Sequence, residues 1–160
     1  GPIVNEKQLA RVDGIVRRSV EAGATVVVGG THEGLFYRPT VLTGVTQATA
    51  AWTDEVFGPV APVVVFDTDE EALALANDSE YGLAGAVYTR SISRGLAFAQ
   101  RIRSGMVHVN DQTVNDEAVI PFGGMGASGN GSRFGGAANW DEFTQWQWVT
   151  IKDTAPRYPF

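Results

Sequence analysis

The segment Asp54-Glu55-Val56-Phe57-Gly58-Pro59 sets an acid and an aromatic ring two residues apart. Side chains of an extended backbone alternate between faces, so Glu55 and Phe57 fall on one face. A carboxylate offers acceptor oxygens to the paired hydroxyls of a ribose, and a phenyl ring offers a flat apolar surface to a nicotinamide. The pair therefore suits a nucleotide. The same residues also read as an ordinary turn leading into a strand.

Other candidate chemistry is thinner. Gly124-Met125-Gly126-Ala127-Ser128-Gly129 spells G-x-G-x-x-G, a dinucleotide fingerprint that works only when a strand precedes it and a helix follows to hold the pyrophosphate. Asn130-Gly131-Ser132 follows instead, so the match reads as chance within a glycine-rich loop and not as a phosphate site. His32 and His108 are the only histidines, neither has a partner at metal-ligand spacing, and no metal site is expected. His108 and Asp111 have the types of a base and its orienting acid, but within an apolar strand His108 is expected to be a packed, satisfied core residue. There is no cysteine, which excludes disulfides, thiolate zinc sites and thiol nucleophiles within these residues. No residue is assigned as catalytic.

The elements that must position these groups alternate between helix and strand. Leu9, Val12, Ile15, Val16 and Val20 recur at helical spacing, and Gly23 is a natural stop. Thr25 to Val28 is a β-branched strand closed by Gly29-Gly30, and Tyr37 to Val41 is a second extended stretch, interrupted by Pro39 and expected near an edge. Ala61 to Phe66 is continuously apolar, the pattern of a strand buried on both faces and flanked by helices. Thr68-Asp69-Glu70-Glu71 matches a capping box, with helix following to about Asn77. Gly85 to Tyr88 reads as a strand, Ile92, Leu96, Ala99 and Ile102 as a helical stripe, and Met106 to Val109 as a strand. The fold class is α/β, a sheet flanked by helices. Regularity then disappears from Thr113 to Gly136. Gln145 to Lys152 resumes as an aromatic strand with Trp146 and Trp148 on one face, suited to its own sheet or to another subunit's edge, and the proline-bearing tail Asp153 to Phe160 is expected to be extended.

The 160 residues are 44% hydrophobic and 19% charged, the composition of one globular domain. A formal net charge of -6 without a basic run argues against nucleic acid as a partner. No apolar stretch is long enough to span a bilayer and no secretory signal pattern opens the chain, so a cytoplasmic protein with no membrane partner is expected.

Glu55-Val56-Phe57-Gly58-Pro59 resembles the E-x-F-G-P motif of the aldehyde dehydrogenase superfamily, and the flanking segments match it in order and spacing. Gly1-Pro2-Ile3, Gly29-Gly30 with Tyr37-x-Pro39-Thr40-Val41-Leu42, Asn77 to Leu83, Gly105 to Asn110, and Pro121-Phe122-Gly123-Gly124 with Ser128-Gly129 complete the series. The resemblance covers essentially the whole chain. Asn110 to Asp116 and the Trp-rich terminal strand point to the benzaldehyde, salicylaldehyde and vanillin dehydrogenase branch.

What this resemblance implies is oxidation of a small-molecule aldehyde to the carboxylic acid with NAD or NADP, through a thiohemiacetal on a Cys, with a Glu as general base for water. Both residues, the Rossmann domain and the oxyanion-hole Asn would precede Gly1. Residues 1–143 would form the downstream half of a catalytic domain and residues 144–160 an oligomerisation strand and tail, with the remainder of the parent chain and further subunits as partners. Glu55 resembles the acid on the nicotinamide ribose and Phe57 the ring against the nicotinamide. Val114, Asn115 and Phe122 lie in the segment resembling the substrate pocket, with Val114-Asn115 where many members carry an aromatic. The leading expectation is a C-terminal part, inactive alone, of an aromatic-aldehyde dehydrogenase. The rival is a non-catalytic binding or assembly module that keeps the fold.

Overall fold

A computed structural model describes residues 1–159, so the last residue of the tail, Phe160, lies outside the described residues. The chain divides into two compact units, Gly1–Ala72 and Leu73–Phe160. Both are mixed α/β, with small sheets and short helices.

The first unit is built around α1 (Glu6–Glu21), whose stripe Leu9, Val12, Ile15 and Val16 is buried. The Asn5 side chain caps its start by accepting from the Gln8 amide at 2.9 Å. At its end the Gly23 amide donates to the Val20 carbonyl and the Ala24 amide to the Ser19 carbonyl, the paired bonds of a Schellman stop. Val20 is exposed, and the buried stripe ends instead on Ser19. The Ser19 hydroxyl donates to the Ile15 carbonyl and accepts from the Ala51 amide, both at 2.8 Å, which satisfies a polar group where only apolar ones surround it.

Against α1 lies a three-stranded sheet of β1 (Thr25–Val28), β4 (Thr40–Thr43) and β5 (Val60–Pro62), in the order β1-β4-β5. Between β1 and β4, β2 (His32–Glu33) and β3 (Phe36–Tyr37) form a small hairpin. β4 runs antiparallel to β1, with Val26 opposite Leu42, and parallel to β5, with Thr40 opposite Val60. The stretch Tyr37 to Val41, expected as one strand near an edge, is divided: Tyr37 ends the hairpin strand β3, and Thr40 and Val41 begin the central strand β4. Pro39 stands just before it, so the missing amide removes no bond from the ladder. Leu42 is completely buried and joins Ile3, Val12, Ile15 and Tyr37 in the core.

The expected two-sided burial of Ala61 to Phe66 is not what forms. Val60 and Val64 pack against the core, whereas Val63 and Val65 face outward, Val65 at 82% exposure. β5 stops at Pro62, and only one face of the run meets the core, so alternation leaves the apolar side chains of the other face uncovered.

α2 (Ala50–Thr53) precedes β5, and α3 (Asp69–Asn77) follows it. The Thr68 hydroxyl accepts from the Glu71 amide at 3.2 Å, and the Glu71 carboxylate accepts from the Asp67 amide at 2.8 Å, so the reciprocal cap forms one residue further out than the simplest version.

The second unit holds a β-α-β crossover: β7 (Ala84–Val87), α4 (Ile92–Ala99) and β8 (Met106–Val109), with β7 and β8 parallel and His108 opposite Ala86. α4 closes on the strands through Gly95, where an added Cβ would lie 2.5 Å from Val109 Cγ1. The apolar stripe read from the sequence makes the helix but does not bury it, since Ile92 and Leu96 are exposed. A smaller ribbon pairs β6 (Tyr81–Gly82) with β9 (Met125–Gly126), and α5 (Ala138–Phe143) comes late in the unit. Gln145 to Lys152, expected as a strand, has no ladder, and Trp146 and Trp148 are fully exposed. A strand needs a partner for its amides and carbonyls, and none is present in the single chain.

Candidate functional site

The Asp54–Pro59 segment leaves α2 with an extended backbone, Asp54 lying at φ -91° and ψ 136°. From Thr53 to Val60 exposure alternates strictly, with Glu55, Phe57 and Pro59 outward and Asp54, Val56, Gly58 and Val60 turned toward the protein. α1 holds the inward side. Arg18 donates to the Asp54 carboxylate at 3.0 Å, the Gln8 side chain donates through Nε2 to the Phe57 carbonyl at 3.3 Å, and Val56 packs on the core. Gly58 lies so close to the helix that a Cβ there would sit 2.8 Å from Val12 Cγ2. The structure therefore brings Glu55 and Phe57 together on one face, as their spacing requires. Phe57 is 70% exposed, so its ring is open to a flat partner.

In the second unit, β8 ends at Val109 and is followed by Asn110, whose φ of 60° turns the chain sharply. An Asn tolerates this left-handed geometry. Its side-chain oxygen accepts from the Thr89 amide at 2.7 Å, tying the turn to the end of β7. Asp111 then accepts from the Gln112 amide at 2.8 Å and from the Asn115 side chain at 2.6 Å. These two bonds, the backbone one foremost, hold the Asp111 carboxyl below its ordinary value. Asp111 therefore orients Asn115, not His108.

Two cavities flank the loop that follows. One, of about 370 Å³, lies between the start of β8 and the loop and is bordered by His108, Asn115, Ile120 and Phe122. The other, of about 400 Å³, is bordered by Ile120, Phe122, Phe134 and Asn139. Phe122 is common to both. It is held by an antiparallel bridge to Phe134, with amide-to-carbonyl distances of 2.7 and 3.0 Å and ring centroids 5.2 Å apart. Arg133 fastens the same turn by donating to the carbonyls of Gly124 and Ser132 at 3.1 and 2.7 Å. Of the three substrate-pocket residues anticipated from the sequence, Asn115 and Phe122 line a cavity. Val114 lines neither and is 71% exposed.

His108 departs from expectation. It is half-buried and its Nε2, closed off from solvent, has no hydrogen-bond partner. Val109 faces α4, so alternation turns His108 to the opposite face, where a cavity and not a packed element lies. His32 stacks on Tyr37 at 6.0 Å between ring centroids. Among the described residues no group of three or more His, Cys, Asp or Glu could hold a metal, and no helix is long and apolar enough to cross a membrane. The G-x-G-x-x-G stretch contributes β9 and is followed by no helix before Ala138. Asp116, Glu117 and Ile120 lie within the segment that resembles the substrate pocket without having been singled out, and Phe134 and Asn139 carry no sequence signal, because an irregular loop has no period to reveal which side chains turn inward.

A profile of the aldehyde dehydrogenase family matches residues 1–149. The chain belongs to that family. It is 51% identical over 160 residues to a benzaldehyde dehydrogenase (NAD+) of Pseudomonas putida and 53% identical over 161 residues to a vanillin dehydrogenase of an Amycolatopsis species. In each case the match covers 100% of this chain and 33% of the relative, so the chain spans about a third of the length of these curated aldehyde dehydrogenases. Among solved structures, a salicylaldehyde dehydrogenase from Pseudomonas putida complexed with salicylaldehyde superposes with a TM-score of 0.90 at 38% identity, covering 100% of this chain and 33% of that one. An aldehyde dehydrogenase of Mycobacterium tuberculosis complexed with NAD+ gives 0.85 at 39% identity, covering 91% and 30%.

Proposed function

We propose that this chain is the C-terminal part of an NAD(P)-dependent aldehyde dehydrogenase that oxidises an aromatic aldehyde to its carboxylic acid. Residues 1–143 are read as the downstream half of the catalytic domain and residues 144–160 as an oligomerisation strand and tail. The observation that carries the reading is the pairing of Glu55 and Phe57, side by side and outward on a backbone fastened from behind by α1. The donor set fits a nicotinamide nucleotide. Glu55 accepts from the two ribose hydroxyls, and Phe57 covers one face of the nicotinamide. When bound, the nicotinamide group supplies the hydride acceptor.

The remaining residues bind and exclude water. Phe122 and Ile120 wall the two cavities, and their apolar surface suits the ring of an aromatic aldehyde. Asn115, held by Asp111, gives the first cavity a fixed polar group. The sequence has no cysteine, so a thiolate nucleophile comes from another part of the full-length protein. On this reading the isolated 160 residues oxidise nothing. The exposed face of Trp146 and Trp148 supports assembly of subunits through Gln145 to Lys152, where a partner's edge supplies the missing ladder.

The test uses the full-length protein. Purified, it is expected to reduce NAD+ or NADP+ in the presence of benzaldehyde, and the 160-residue chain alone is not. Glu55→Gln keeps the size of the side chain but removes its charge, and is expected to lower turnover at saturating cofactor by about tenfold, the worth of a hydrogen bond to a charged group. Aldehyde oxidation by the short chain alone, no oxidation by the full-length protein, or unaltered kinetics in the Glu55 variant would each overturn part of this reading.

A further inference from the structure

We propose that Asp116 and Glu117 act as a charge filter at the substrate loop, admitting uncharged aromatic aldehydes and turning away anionic ones. The inference rests on the reading that this loop receives the aldehyde, and it names the substrate class that the loop selects.

Both residues border both cavities, alongside the apolar Ile120 and Phe122. A ring entering either space thus meets apolar wall and carboxylate together. Among the described residues, no Lys or Arg borders either cavity. Neither carboxylate is ion-paired among the described residues, and the nearest arginine in sequence to Phe134, Arg133, is spent on backbone carbonyls. A third carboxylate, Asp111, is bonded to the lining residue Asn115 at 2.6 Å.

Recognition of a carboxylated substrate calls for a cation, most often the planar fork of an arginine. This loop presents the reverse. Uncompensated charges of one sign beside low-dielectric walls focus a field into the space between them, and a substrate of like sign is rejected by repulsion instead of by shape.

The experiment measures kcat/KM of the full-length protein for three probes of similar ring size: benzaldehyde, anionic 4-carboxybenzaldehyde and cationic 4-(trimethylammonio)benzaldehyde. Measurements are made over a salt series in the unaltered protein and in the double variant D116N/E117Q. The anion-to-benzaldehyde ratio is expected to rise about fivefold in the variant, as two unit charges some 8 Å away in a water-like dielectric give. The cation-to-benzaldehyde ratio is expected to fall. Added salt in the unaltered protein shifts both ratios in those same directions, because it screens the field.

Steric or folding effects of the substitutions move both charged probes the same way. Ratios that stay fixed, or that move together, overturn the filter while leaving benzaldehyde oxidation standing. If the double variant does not fold, the salt series decides alone, since a flat ratio overturns the filter and opposite shifts support it. Turnover of none of the three probes overturns the functional reading and the filter with it.

Discussion

Replacing Gly58 by alanine is expected to loosen the segment that presents Glu55 and Phe57. A Cβ at this position lies 2.8 Å from Val12 Cγ2, 3.0 Å from Val12 Cγ1 and 3.5 Å from Ile3 Cδ1. Carbon atoms in favourable contact are about 3.5–4.0 Å apart, so the added methyl overlaps both branches of Val12. Val12 cannot give way. It is fully buried in the core, and a β-branched side chain in a helix has essentially one rotamer. Relief comes only by lifting the chain from α1, which stretches the bond from Gln8 to the Phe57 carbonyl. Overpacking of this kind costs about 1–3 kcal/mol. In the full-length protein, urea unfolding followed by tryptophan fluorescence is expected to show a loss in that range, and titration with NAD+ a weaker affinity. Val12→Ala alone removes buried methyl groups and costs about 2 kcal/mol. Combined with Gly58→Ala it also removes the overlap, so the double variant is expected to be more stable than the sum of the single losses by about 1 kcal/mol or more. Strictly additive losses, or a Gly58 variant as stable as the parent, would refute the contact argument.

Ser19→Ala leaves the Ala51 amide without its acceptor in a buried place, and equilibrium unfolding is expected to register a loss of about 1–3 kcal/mol. Asn115→Ala removes one of the two bonds that depress the Asp111 carboxyl, so its titration, followed by carboxyl-carbon NMR, is expected to move up toward the ordinary 3.8. The sign follows from linkage: a carboxyl depressed in the folded state adds stability above its unfolded value, and that contribution fades as the pH falls through the folded value. Trp146→Asp with Trp148→Asp places charge on the proposed subunit strand, and light scattering is expected to show a smaller particle; an unchanged mass would assign assembly to another surface.

Much of the first unit was legible because its residues obey one period at a time. The α1 stripe as far as Val16, the Gly23 stop, β1 and the Thr68 half of the capping box all depend on neighbours within a few residues, and all appear where the pattern places them. What failed depends on partners distant in the chain. Whether the Tyr37 to Val41 stretch is an edge or a centre is decided by which strands flank it, and β5 lies some twenty residues away. Whether Val63 and Val65 are buried depends on what covers the second face of the run that continues β5, and a run of valines carries no record of its cover. The same holds for Ile92 and Leu96, where helical spacing was right and burial was not.

The two candidate regions, one in each unit, differed in legibility for a physical reason. Glu55 and Phe57 lie on extended chain, where position i and position i+2 must share a face, so two letters and a spacing suffice to state their geometry. The loop after Asn110 has no such rule. Phe122 meets Phe134 through a single bridge, Arg133 spans back to Gly124, and Asn115 folds onto Asp111, three contacts of three different reaches. Each depends on the left-handed turn at Asn110 and the glycines around it, not on a repeat. Of the residues that resemblance placed in a substrate pocket, Asn115 and Phe122 border a cavity and Val114 borders neither. Asp116 and Glu117 had no role of their own within that segment for the opposite reason: acids in a loop look like solvated surface, and only the cavities beside them, with no cation on their walls among the described residues, give them their proposed part in choosing what enters.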